Sequence, residues 1–143
     1  MRKVIKGNVN LNNLYLTELF DLSDVEVRGD FSCNFNDITN LKGSPHTVVG
    51  TFSCRHNNLT SLIGAPQTVR GHFFCNNNNL SSLVGAPSAV GGGFYCTGNN
   101  LDSLEGIPKE IVGAFLIEYK LKYKFPEEYI RSLSEIKGRI LYV

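Results

Sequence analysis

The sequence predicts a solenoid with a parallel β-sheet on one face, irregular loops on the other, and a capping strand and helix at its C-terminal end. Three observations predict this fold: a repeat of constant period, an alternation of residue types within each repeat, and departures from the repeat at both ends. A chain of 143 residues, 42% hydrophobic and only 19% charged, has enough apolar surface to bury one continuous core.

The repeat has period 21 and is visible in several columns of residues that keep the same spacing. Cysteines at 33, 54, 75 and 96 form one column, and phenylalanines at 31, 52, 73 and 94 form another. Glycine, asparagine, leucine and proline columns run in register with them. One unit reads V-x-G-x-F-x-C-x-x-N-x-L-x-S-L-x-G-x-P-x-x. A fixed period of this length indicates stacked structural units.

Each unit divides into a strand and a return loop. The V-x-G-x-F-x-C segment alternates with period two, as a half-buried strand does, so Val, Gly, Phe and Cys should face the core. The asparagine ends the strand, and the glycine and proline mark a loop. Stacking these units places the strands side by side in a parallel sheet of about five or six turns.

The stretch F-x-C-x-x-N-x-L-x-x-L resembles the leucine-rich-repeat family. Phe94, Cys96, Asn99 and Leu101 match its second leucine, third leucine, asparagine and fourth leucine, whereas its first leucine is displaced by one place to Val90. The short repeats and their loop proline are similar to those of bacterial effectors and of repeat proteins encoded by tailed bacteriophages and prophages. This resemblance implies a protein-binding module, in the phage case one that engages a bacterial host protein.

Departures from the repeat divide the chain into three parts. Residues 1–26 are predicted to form a degenerate N-terminal capping repeat, and residues 27–117 the regular repeats of period 21. Residues 118–143 are predicted to form a C-terminal cap of strand, helix and strand. Within it, residues 118–125 alternate like a strand, and residues 126–138 have helix signals. The apolar stripe of this helix is Tyr129, Ile130, Leu133 and Ile136.

The cysteine and asparagine columns have structural and functional interpretations. Zinc sites use closely spaced cysteine pairs, whereas a spacing of 21 places one thiol on each turn. We therefore expect a ladder of buried thiols, without metal or disulfide. The resemblance implies that Asn36, Asn57, Asn78 and Asn99 form a second ladder that satisfies backbone groups.

No catalytic motif appears in the sequence. His46, His56 and His72 have no motif partner, and P-loop, G-x-S-x-G and H-E-x-x-H patterns are absent. Cys54 and His56 are close in sequence, but Cys54 should face the core and its polar neighbours solvent. We therefore expect neither enzymatic activity nor a cofactor.

The outward positions of the strands differ from repeat to repeat, as expected of a specific surface on a constant scaffold. Phe74, Tyr95 and Leu116 should lie side by side on this face. Polar residues at its border are Arg55, Arg70 and His72. Such a composition is typical of a protein-interaction hot spot. In the alternative interpretation, the C-terminal segment folds over the patch and buries it.

Further expectations concern partners and location. Lys120, Lys122 and Lys124 alternate with aromatic residues, which indicates either a nucleic-acid platform or an edge strand protected by lysines. Nucleic-acid binding through the basic sheet face together with these lysines is the alternative function. Self-association as a structural component is another alternative. A net charge of +1 gives no reason for long-range attraction to nucleic acid or membrane. Without a signal-peptide pattern or a long apolar run, a cytoplasmic location is expected.

Overall fold

The computed structural model describes residues 2–143 and shows a parallel β-solenoid of seven turns. Each turn contributes one strand to each of two seven-stranded parallel sheets. In chain order, the strand pairs are β1 (Lys3–Lys6) and β2 (Val9–Asn10), β3 (Val25–Arg28) and β4 (Phe31–Ser32), β5 (Thr47–Val48) and β6 (Phe52–Ser53), β7 (Thr68–Val69) and β8 (Phe73–Phe74), β9 (Ala89–Val90) and β10 (Phe94–Tyr95), β11 (Glu110–Ile111) and β12 (Phe115–Ile117), and β13 (Glu135–Ile136) and β14 (Ile140–Tyr142).

The repeat therefore contains two short strands where the alternation predicted one. The chain turns a corner at the repeated glycine, and the residues before and after it join different sheets. At Gly71, an added Cβ would lie only 2.6 Å from the carbonyl carbon of Gly50, so adjacent turns approach too closely here for a side chain. The prediction of a single sheet opposite irregular loops is wrong in this respect, and the turns number seven because both ends supply strand pairs.

The core is built from columns of identical side chains. The five phenylalanine rings stack with centroid separations from 5.1 to 5.9 Å, and all five are fully buried. Aliphatic side chains from the first sheet and leucines from the loops pack against them. Because every turn buries the same residues in the same places, each turn completes the core of its neighbours.

The asparagine column is confirmed as a buried ladder. The Nδ2 group of Asn78 donates to the carbonyl oxygens of Cys54 (3.0 Å) and Cys75 (3.2 Å), which belong to two successive turns. Its Oδ1 accepts the N–H of Leu59 at 3.0 Å. Asn57 and Asn99 repeat this pattern. The amides thus satisfy backbone groups that the turn removes from water.

The C-terminal residues differ from the predicted strand, helix and strand. Instead of a strand, residues 118–125 contain a 3₁₀-helix, Tyr119–Leu121, followed by a turn. The helix α1 spans Glu127–Leu133, and of the predicted stripe Ile130 is buried on it, whereas Tyr129 and Leu133 are exposed. β13 and β14 then extend both sheets.

The last turn is bounded by a side chain of α1. The Arg131 guanidinium donates to the carbonyl oxygen of Ile136 at 2.6 Å and to that of Gly138 at 3.1 Å. It also pairs with Glu127 one helical turn earlier, at 3.1 Å. Ile136 belongs to β13, and Gly138 lies at the corner between β13 and β14.

Within residues 2–143, no helix combines the length and the apolar character needed to cross a bilayer.

Candidate partner-binding surface

One outward column of the second sheet changes from polar to apolar along the solenoid. Strand pairing places its seven members side by side, one from each turn: Asn10, Ser32, Ser53, Phe74, Tyr95, Leu116 and Leu141. We call the last four residues the ridge. Their side chains are half-buried or exposed, so the ridge is an accessible apolar strip on a regular scaffold.

The rings of the ridge stack on one another. Phe74 and Tyr95 lie 4.5 Å apart between centroids, with an interplanar angle of 14°. The Arg55 guanidinium lies 5.3 Å above the other face of Phe74, a cation–π distance. Leu116 follows Tyr95 in register. Phe74 therefore lies between Arg55 and Tyr95, and Tyr95 stacks on Phe74.

His72 lies beside both rings and is oriented by the next turn. Its ring centroid is 5.9 Å from that of Phe74 and 5.7 Å from that of Tyr95. Its Nδ1 accepts the backbone N–H of Gly93 at 2.8 Å, which places the proton of the neutral ring on Nε2. An added Cβ at Gly93 would lie 2.8 Å from the Tyr95 hydroxyl oxygen, so a side chain there would push this ring out of the stack.

The hydrogen bond to His72 continues a ladder that begins three turns earlier, where Asn8 Oδ1 accepts the N–H of Asp30 at 2.8 Å. Asp30 Oδ1 accepts the N–H of Thr51 at 2.8 Å, and Thr51 Oγ1 accepts the N–H of His72 at 3.3 Å. Each side chain in this column thus bonds to the backbone one turn further along. The column is variable in sequence, yet its side chains are held by the scaffold.

The arginines occupy different positions relative to the ridge. Arg55 follows β6, and its backbone N–H donates to Asn34 Oδ1 at 2.8 Å, which fixes the base of its side chain. Arg70 is exposed and follows β7, on the opposite side of the Gly71 corner from His72. The structure therefore brings Arg55, His72, Phe74, Tyr95 and Leu116 together and places Arg70 at the corner beside them.

The C-terminal segment extends the ridge and does not cover it. β14 pairs with the outer side of β12, which places Leu141 next to Leu116. Leu141 is missing from the predicted surface, although its signal is present in the sequence. Gly138, Ile140 and Tyr142 repeat the G-x-F-x-C spacing with aliphatic and aromatic residues, but Gly138 follows Gly113 at a longer distance than the regular period.

The polar half of the column lines a shallow groove of about 300 Å³ that ends at the ridge. Ser53 lies in its floor and donates to Asn34 Oδ1 at 2.7 Å. Arg55 and Phe74 form its boundary with the ridge. Asn10, Asp30, Ser32 and Thr51 also line the groove.

A second depression, of about 820 Å³, lies among the loops of the first two turns, between Tyr15 and Gly43. Its carboxylate Asp21 accepts the hydroxyl of Ser23 at 2.6 Å, and this hydrogen bond is the main reason that the pKa of Asp21 is lowered. The Ser23 hydroxyl thus donates to a carboxylate whose lowered pKa favours its ionised form. This arrangement is typical of a turn rather than of an activated nucleophile.

The cysteines form the buried thiol ladder that was predicted. Each Sγ approaches a carbonyl oxygen of the next turn, as Cys75 does that of Tyr95 at 3.4 Å. Burial raises the pKa of every thiol, that of Cys33 from 9.0 to about 12. Such thiols remain protonated and are poor nucleophiles and metal ligands.

Cys54 and His56 do not form a pair. Cys54 is buried, whereas His56 is exposed and stacks on Phe35 with 4.4 Å between ring centroids. Among residues 2–143, no three His, Cys, Asp or Glu side chains form a group that could hold a metal ion.

The lysines of residues 118–125 lie at the last turns of the solenoid. Lys122 Nζ is 5.6 Å from the Tyr119 ring centroid and 5.9 Å from that of Tyr142. Lys124 Nζ lies 5.4 Å from the Phe125 ring. Because this segment is a 3₁₀-helix and a turn, the lysines do not form the row that a strand would give.

Comparison of the chain with protein-family models, with curated proteins and with solved structures gives no match. A function must therefore be argued from the geometry of the ridge and of the groups that flank it.

Proposed function

We propose that this chain is a non-catalytic protein-binding module of the leucine-rich-repeat type and that the ridge is its contact surface. The observation that carries the proposal is the stacked, accessible column Phe74–Tyr95–Leu116–Leu141, with Arg55 and His72 at its border. Aromatic side chains and arginine dominate the binding energy of protein interfaces.

Rigidity adds to the suitability of the ridge. The ring of Phe74 is held between Arg55 and Tyr95, and the orientation of His72 is set by the backbone of the next turn. A partner that binds here orders few side chains, so little conformational entropy is lost on association. A variable surface on repeated, tightly packed turns is the arrangement by which repeat proteins present binding sites.

The stacking favours a protein partner over nucleic acid. Nucleobases bind to proteins mainly by stacking on open aromatic faces. One face of the Phe74 ring is covered by Arg55 and the other by Tyr95, so Phe74 offers its ring edge and not an open face. Ring edges and leucine side chains fit the apolar surface of a protein.

The resemblance to phage-encoded repeats directs the search for the partner towards a bacterial protein. In this proposal, the chain acts by masking or scaffolding a host protein and not by changing it chemically. A bacterial lysate is therefore the first source in which to look.

The experiment is a quantitative pull-down from bacterial lysate with the tagged chain. The test variant is Phe74→Ser/Tyr95→Ser, and the matched control is Thr68→Ala/Ala89→Ser, which changes the outward face of the first sheet in the same two turns. We expect a protein recovered by the wild type and the control at least about tenfold better than by the test variant, with and without nuclease.

Other outcomes identify the alternatives. Recovery that disappears with nuclease and falls steeply with salt supports nucleic-acid binding instead. Equal recovery by the test variant rules out the ridge as the contact surface. Light scattering after size exclusion tests self-association, because a monomer at micromolar concentration excludes a stable assembly through the ridge.

A further inference from the structure

We infer, on the basis of the proposed function, that the partner binds as a linear acidic–apolar segment: a carboxylate contacts Arg55, and the neighbouring apolar side chains lie along the ridge. The unpaired charge at one end of the ridge and the order of side chains in the column indicate this chemistry.

Within the described part of the chain, residues 2–143, the guanidinium of Arg55 has no anionic partner. The ion pairs found there are Lys3–Asp24, Arg28–Glu26, Arg131–Glu127 and Lys137–Glu110. Arg55 joins none of them, although it is held in place over Phe74. A guanidinium positioned by an aromatic ring presents a planar set of donors that matches a carboxylate.

Each of the two acidic side chains that flank the same column accepts a backbone N–H through one oxygen. Asp30 Oδ1 accepts the N–H of Thr51 at 2.8 Å, and Glu118 Oε1 accepts the N–H of Asn99 at 2.9 Å, whereas Glu118 Oε2 is buried without a partner. His72 adds a second donor beside Phe74, because its Nδ1 is occupied by Gly93 and its Nε2 carries the proton. At the Phe74 end of the ridge, Arg55 and His72 therefore favour hydrogen-bond acceptors and negative charge in the partner.

The column also sets the order of groups in the partner. Along the column, Ser53 is polar, and the side chains from Phe74 to Leu141 are apolar. Arg55 lies beside the column where the polar part meets the apolar part. Three strand spacings of about 4.8 Å make the ridge about 14 Å long. An extended segment covers this length with about four or five residues, and the groove of about 300 Å³ receives the polar residues beyond the carboxylate.

The test is selection from a display library of random twelve-residue peptides on the immobilised full chain, after depletion on Phe74→Ser/Tyr95→Ser. We expect enriched peptides to carry Asp or Glu next to two or three of Leu, Ile, Phe and Trp. Their affinity should fall about tenfold for Arg55→Gln and be partly restored in Arg55→Lys. It should be unchanged in the matched control Arg28→Gln, which changes an exposed arginine at the end of β3 in the first sheet. Equal urea midpoints of the variants show that the fold is retained.

Two results overturn the inference, and they bear differently on the proposed function. Ridge-dependent peptides that lack acidic residues, or that bind Arg55→Gln as tightly as wild type, refute the carboxylate contact and leave the ridge as the binding surface. If no peptide distinguishes wild type from the ridge variant, binding of a linear segment is refuted, and the pull-down decides separately whether a folded protein uses the ridge.

Discussion

Asn78 illustrates how much of this fold depends on single side chains. Its amide bonds to carbonyl oxygens of two successive turns and accepts a loop N–H, all away from solvent. The resemblance to the leucine-rich-repeat family implied this ladder, and its hydrogen bonds confirm the expectation. The neighbouring Asn79 is exposed and only its backbone is engaged, although its side chain is chemically identical.

This contrast gives a matched pair for measurement. We expect Asn78→Ala to lower the free energy of unfolding by about 3 kcal/mol, since it leaves several buried backbone groups without partners. Asn79→Ala should change it by less than about 0.5 kcal/mol. Urea denaturation of both variants tests the expectation, and similar losses in the two would contradict the buried role of the ladder.

The thiols predict a dependence of stability on pH. In the folded chain burial keeps the pKa of Cys75 well above 9.0, whereas in the unfolded chain the thiol ionises near that value. The unfolded state therefore binds fewer protons at alkaline pH, so the stabilisation is complete below about pH 9 and is lost as the pH rises.

The loss should be about 1.4 kcal/mol for each thiol between pH 8 and pH 10. Urea denaturation at both pH values, compared between wild type and Cys75→Ala, isolates one thiol because all other titrating groups are common to both. The variant should therefore lose less stability than wild type, by the contribution of that one thiol. Equal losses would show that Cys75 ionises as readily in the folded chain.

Among the structural elements, the repeated turns were predicted from the sequence, whereas the corner between the two sheets was not. Period-two alternation continues through the glycine, since Val48, Phe52 and Cys54 are all buried, so the pattern alone does not reveal that two sheets meet there. Alternation also misled at residues 118–125. There Lys120 stands 21 residues after Asn99, where the ladder would place an asparagine, and the chain turns into a 3₁₀-helix, a tertiary effect that local pattern does not report.

Arg131 allows a test of what holds β13 and β14 at the edge of the two sheets. Replacing it with methionine keeps the apolar stem and removes the donors to the carbonyl oxygens of Ile136 and Gly138. We expect amide hydrogen exchange in β13 and β14 to become at least about tenfold faster, as the final turn opens more often. Arg139→Met, an exposed change in the same turn, serves as the control. Unchanged protection in Arg131→Met would show that the edge is held by packing alone.

At the scale of the whole molecule, the chain combines a uniform interior with one differentiated face. Phe74, Tyr95 and Leu116 were predictable as neighbours, because a constant period converts sequence spacing into adjacency. Leu141 was missed because the final turn, between the corner glycines Gly113 and Gly138, is longer than the regular period, although the spacing of Gly138, Ile140 and Tyr142 indicates its strand. The contacts of Arg55 and His72 could not be predicted from the sequence, because they depend on side-chain directions across turns.

If the ridge is the surface on which the partner binds, a crosslinker placed on it should capture that partner. Photo-crosslinking in bacterial cells tests this directly, with p-benzoylphenylalanine placed at Leu116 on the ridge and, in a second variant, at Ala89 on the outward face of the first sheet. We expect a discrete adduct with one bacterial protein from position 116 and none from position 89. An adduct from position 89 alone, or none from either position, would show that the partner does not bind on the ridge.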